Sequence, residues 1–103
     1  MTTKKSDATK YLEKLAGKLT LSRLLESIRL SEEMSQVDFA RMLGISRQNL
    51  CDIERGRRTV SPKKAADFAK KLGFSSNQFV RLCLQDLVNR DGLKLKVDVQ
   101  DAA

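Results

Sequence analysis

Between Ser35 and Arg58 the chain reads SQVDFARMLGISRQNLCDIERGRR, and this stretch leaves little freedom in how it can fold. Ser35 has the side chain that satisfies unpaired N–H groups at a helix start, and Asp38 three places on completes a capping-box-like pair. Phe39, Ala40 and Leu43 recur at helical spacing. Gly44 follows at once, where a helix ends in a left-handed residue. Ile45 is apolar inside the turn and can plug it into a core. Ser46 caps a second short helix. In it Leu50 and Ile53 face inward, while Gln48, Asp52 and Arg55 lie on the opposite side of the wheel. Arg47 and Gln48 fall on its first turn, and Gly56 ends it.

This layout is a helix-turn-helix, in which the second helix enters the DNA major groove with its N-terminal residues at the base edges. Ala40 is small where the two helices cross most closely. A helical hairpin within some other all-α domain would share the spacing, but it leaves the basic surface without a purpose. That surface is concentrated. Residues 45–64 carry six basic and two acidic side chains, as do residues 1–24, whereas residues 25–44 carry two and four. Within a net charge of +7, the basic groups thus gather in two segments, one of which holds the proposed reading helix. A phosphate-facing surface accounts for this better than lysines scattered at random.

The same stretch resembles the lambdoid-repressor and Cro type of helix-turn-helix, the XRE family of bacterial transcriptional regulators. Those proteins carry a similar Gln at the start of their second helix and a similar I-E-x-G at the end of the third, here Ile53-Glu54-Arg55-Gly56. The resemblance covers about Thr20 to Phe74. It implies an all-α, lambda-repressor-like bundle of about five helices that binds double-stranded DNA. It also implies that Arg29, near the end of the first family helix, pairs with Glu54 as a structural lock. Glu33 stands where the family often has Gly, and the usual loop Pro is missing near Thr59.

The rest of the chain follows from periodicity. Leu21, Leu24, Leu25 and Ile28 predict a helix over 20–33. Ser61-Pro62 opens another, with Ala65, Phe68, Ala69 and Leu72 inward and Gly73 as its stop. Lys63 and Lys64 sit against its dipole, which suits a nearby phosphate or simply two exposed lysines. A last helix runs from Ser75 or Ser76 to about Asn89. It is apolar on more than one face through Leu84, Leu87 and Val88, more than a chain of 103 residues can readily cover. After Asp91-Gly92, the run from Leu93 to Val99 alternates apolar and polar, a strand pattern. A lone strand cannot satisfy its own backbone, so it calls for the same strand of a second subunit, or for a different protein. Leu93, Leu95, Val97 and Val99, with Leu84, Leu87 and Val88, are the expected dimer interface. At the other end, residues 7–18 predict an extra helix bearing Tyr11, Leu12, Leu15 and Ala16. It is preceded by a basic tail that either grips DNA or is merely solvated. The expected division is 1–19 tail and extra helix, 20–74 DNA-binding domain, and 75–103 dimerisation or partner docking.

Several function classes fall away. The chain has no His, no phosphate-binding loop and no nucleophile–base pair, so an enzyme is not expected. Cys51 and Cys83 fit no metal spacing, and no cofactor is expected. Cys51 reads as a redox sensor near DNA or as a reduced, partly buried small residue. No apolar run is long enough for a membrane span, and the N-terminus lacks the apolar core of a secretory signal, which points to the cytoplasm. The expected function is a homodimeric repressor of a palindromic operator. Arg47, Gln48, Asn49 and Asp52 would read bases, while Ser35, Gln36, Ser46, Arg55, Arg57, Arg58 and Lys63 hold phosphates. The alternative is an antitoxin that also binds a toxin protein and represses its own operon. A lysogeny regulator of a mobile element would share the same DNA chemistry.

Overall fold

The computed structural model describes residues 19–102. The extra helix expected over 7–18 and the basic tail before it lie outside these residues. Five helices follow in order: α1 (Leu21–Ser31), α2 (Gln36–Leu43), α3 (Arg47–Glu54), α4 (Pro62–Leu72) and α5 (Ser76–Arg90). The protein is an all-α bundle.

Each helix begins by the same chemistry. Thr20, Ser35, Ser46, Ser61 and Ser75 hold extended backbone, and each side-chain oxygen accepts from the N–H three residues on. At Ser35 the capping is one-sided, because the Asp38 carboxylate turns instead to Arg41 at 3.6 Å. Each helix also ends alike. A residue in the left-handed region (Glu33, Gly44, Gly56, Gly73 and Gly92) is followed by one whose N–H reaches back to a carbonyl five residues earlier. Four of the five are glycine. Glu33 takes φ 54° with a full side chain, in the region that crowds Cβ against the backbone.

Between these caps the apolar stripes meet in one core. Phe39, Phe68 and Phe79 are its largest fully buried side chains, joined by Leu25, Leu43 and Leu50. Burying each stabilises the fold by about 1.5–3 kcal/mol relative to leaving it in water. Ile45 in the turn, Leu24 and Leu72 pack against this cluster and remain partly exposed. Helices α4 and α5 form the most extensive pair, with α2 and α3 next. Phe79, Leu82 and Cys83 of α5 lie in the same cluster as the helix-turn-helix residues, so the segment expected at 75–103 shares its core with the preceding domain.

The expected C-terminal strand does not form within the chain. No strand occurs among the described residues, and Leu93 onward has no regular secondary structure. The physical reason is the one that makes a lone strand unstable: no described segment offers it a second backbone. A side chain takes that place. Gln85 donates to the Leu95 carbonyl at 2.8 Å and accepts from the Val97 N–H at 2.8 Å, while Asn77 donates to Asp101 at 2.9 Å. The tail therefore runs back along α5, held at two points.

Candidate nucleic-acid interface

Helix α3 rests on the core through Leu50 and Ile53 and turns its other side outward. Arg47, Gln48 and Arg55 are exposed, and Asp52 is half-buried. Gln48 donates to the Asp52 carboxylate at 3.1 Å, one helical turn away. That contact uses one N–H of the Gln48 amide and leaves its oxygen and second N–H for a base edge. Asn49 sits differently from the other base-reading candidates. It flanks the core, its Oδ1 is buried without a protein partner, and its backbone N–H donates to the Ser46 hydroxyl. Its place among the expected base-reading residues gave no sign that it leans inward.

The helix pair is held in place by an ionic knot. Arg29 of α1 forms a two-pronged contact with Glu54 of α3, Nε to Oε2 at 2.8 Å and Nη2 to Oε1 at 3.1 Å. The Glu54 side chain is 2% exposed and that of Arg29 13%. Hydrogen bonding to Glu54 pushes the Arg29 pKa still higher, against the opposing effect of burial, so the guanidinium stays charged. Its remaining prong donates to the Met34 carbonyl at 3.1 Å, which fastens the α1–α2 turn. Gln36 also belongs to this knot, donating to Glu54 Oε1 at 3.1 Å. Its side chain is thus engaged by the protein, and what α2 presents to an anion is its N-terminal backbone.

The other phosphate candidates surround α3. Ser35 and Ser46 use their hydroxyls as caps on the first turns of α2 and α3. Arg57 and Arg58 are exposed on a loop whose N–H groups fold back onto the Asp52 carbonyl, at 2.8 and 3.3 Å. Lys63 and Lys64 stand exposed on the first turn of α4. Basic side chains therefore line both ends of α3.

Two contacts that fix the site were not foreseen. Lys71 of α4 donates to the Leu43 carbonyl at 3.0 Å, closing the end of α2 at the turn, and pairs with Asp67 at 3.0 Å. Asp86 of α5 accepts from the Leu21 N–H at 3.1 Å and so caps α1 from 65 residues away. Burial pushes the Asp86 carboxyl up from its usual value of 3.8, although the Leu21 N–H and Arg90 oppose the shift. Neither contact leaves a local signal, because each joins an ordinary surface residue type to a backbone group distant in sequence.

A family model described as helix-turn-helix matches residues 25–79, more than half of the chain. The chain belongs to the XRE-type helix-turn-helix family. It is accordingly a DNA-binding transcriptional regulator, and α2, the Gly44 turn and α3 are the motif of this XRE-type domain. Comparison with curated proteins and with solved structures gave no match. No described helix is long and apolar enough to cross a membrane, and no three His, Cys, Asp or Glu side chains among the described residues are grouped to hold a metal ion.

Proposed function

We propose that the protein is a homodimeric repressor that covers a palindromic operator, with one α3 in each of two successive major grooves. The observation that carries this is the outward face of α3, where Arg47, Gln48 and Arg55 stand clear of the core at the exposed start and end of the motif's second helix. Arg47 reads a guanine through O6 and N7, and Gln48 reads an adenine through N6 and N7. Asp52 orients the Gln48 amide. Arg55, Arg57, Arg58 and Lys63, with the backbone N–H groups at the starts of α2 and α3, hold phosphates and set register. Half-sites on one face of the duplex lie ~34–36 Å apart. The domain measures 37 × 34 × 30 Å, so two copies side by side match that spacing. Dimer contacts are assigned to the C-terminal apolar residues Leu84, Leu87, Val88, Leu93, Leu95, Val97 and Val99.

The test is a footprint on DNA upstream of the protein's own gene, against excess random duplex at ~150 mM salt. A bounded, competitor-resistant footprint with dimer mass is the expected result. Binding that random duplex abolishes would refute operator recognition. An antitoxin would share this DNA chemistry and add a protein partner. It is favoured by large apolar side chains exposed away from the C-terminal segment, among them Leu30, Val37 and Met42. Co-purification with the product of an adjacent gene, and a changed footprint in its presence, would support that reading.

A further inference from the structure

We propose that the tail from Leu93 to Gln100 is one half of an antiparallel two-stranded ribbon, completed by the same tail of a second copy with Val97 on the two-fold axis. This rests on the dimeric reading above and gives it a seam and a register. The Gln85 amide donates to the residue before Lys96 and accepts from the residue after it, both at 2.8 Å. A neighbouring parallel strand makes the same pattern. It keeps residues 95–97 extended, with the Leu95 carbonyl and Val97 N–H toward α5 and the N–H and carbonyl of Lys96 facing away. In an extended chain this alternation carries on to Lys94 and Asp98. Among the described residues, no backbone hydrogen bond engages these outward groups. The tail is therefore an edge already held straight on one side and open on the other.

The register follows from charge. Pairing across a two-fold must set outward-facing residues opposite one another, so the axis passes through a residue rather than between two. An axis on Lys96 opposes Lys96 to itself, and an axis on Asp98 opposes Asp98 to itself. An axis on Val97 instead pairs Lys96 with Asp98 of the second copy, twice, and Lys94 with its Gln100. On the other face it sets Val97 against Val97 and Leu95 against Val99. Like charges directly opposite destabilise a ladder and opposite charges support it. The same pairing covers Leu95, which is 62% exposed in the single chain.

An axis on Val97 makes it a pair without hydrogen bonds, with Cα atoms about 4.5 Å apart, inside the disulfide range. The full chain carrying Cys51→Ser and Val97→Cys should cross-link almost completely on mild oxidation, and far more than chains carrying Lys96→Cys or Asp98→Cys. Lys96→Asp and Asp98→Lys should each shift the mass by light scattering from dimer toward monomer, and the double exchange should restore the dimer. Positions 96, 97 and 98 lie outside the helices, Cys51 lies on α3, and an unchanged helical circular dichroism checks the folding of every variant. Preferential cross-linking through Lys96→Cys, a dimer indifferent to both single exchanges, or a monomeric parent chain would each overturn the proposal. The promoter footprint, run in parallel, separates the two readings. A footprint without Val97→Cys cross-linking removes only the ribbon. Cross-linking without any footprint removes only the operator-binding repressor.

Discussion

Glu54 has its carboxylate almost wholly out of water, and donors from two other helices meet it there. A buried charge that loses its partner leaves the other charge uncompensated. Glu54→Ala and Arg29→Ala are each expected to lower stability by ~3–5 kcal/mol in urea unfolding, whereas replacing both with leucine should lose far less than the two single changes combined. The pairing of Arg29 with Glu54 was legible through the I-E-x-G resemblance. The part played by Gln36 was not, because spacing puts it on the first turn of α2 without saying which way its amide points. Gln48 raises the opposite question, since the role proposed for it acts on DNA rather than on the fold. Gln48→Ala should weaken operator binding by ~1–3 kcal/mol and relax specificity at one base. Asp52→Ala should relax that same base while leaving binding to random duplex unchanged. Equal losses on operator and random DNA for Gln48→Ala would remove its reading role.

At the level of the helices, starts and stops were the most legible feature, because a cap is written within four or five residues. Ser35, Gly44, Ser46, Gly56, Ser61 and Gly73 could be placed from the sequence, and each lies at a helix boundary. Glu33 is the departure from that pattern. Glycine there would relieve about 1–2 kcal/mol of left-handed crowding and give back roughly 0.5–1 kcal/mol in backbone entropy. Glu33→Gly is therefore expected to raise the urea midpoint slightly, and a fall would show that the carboxylate has a favourable contact. The cap that Asp86 places on α1 lay beyond local reading, since nothing near residue 21 points to residue 86. Its folded pKa stands above the ordinary 3.8, so the folded state takes up a proton more readily than the unfolded one. The stability this group contributes is full below the unfolded pKa and declines as pH rises through the folded value. Relative to Asp86→Asn, the parent protein should gain stability as pH falls through the carboxylate range, which urea unfolding at a series of pH values will measure.

Over the whole molecule, charge and core are arranged by different rules. The core was legible from helical periodicity, and the basic surface from the crowding of arginine and lysine into residues 45–64. The tail was not, because the same alternation suits a strand in a sheet and an extended segment held by one glutamine. Phosphate contacts release counterions, so Arg57→Ala should weaken operator and random DNA alike and reduce the slope of log affinity against log salt by about 1, as read from titrations across salt concentrations. The Gly44 turn carries a consequence for sequence drift. A Cβ built on Gly44 would lie 2.8 Å from the Lys71 ammonium, and the backbone there has φ +75°. The ammonium ends a flexible side chain and can swing aside at the loss of its bond to the Leu43 carbonyl, so the left-handed backbone is the lasting obstacle, and shortening Lys71 leaves it in place. In a saturation library, position 44 should stay glycine even where residue 71 varies freely. A relative of this chain that has changed residue 71 still has no easy route to a different turn.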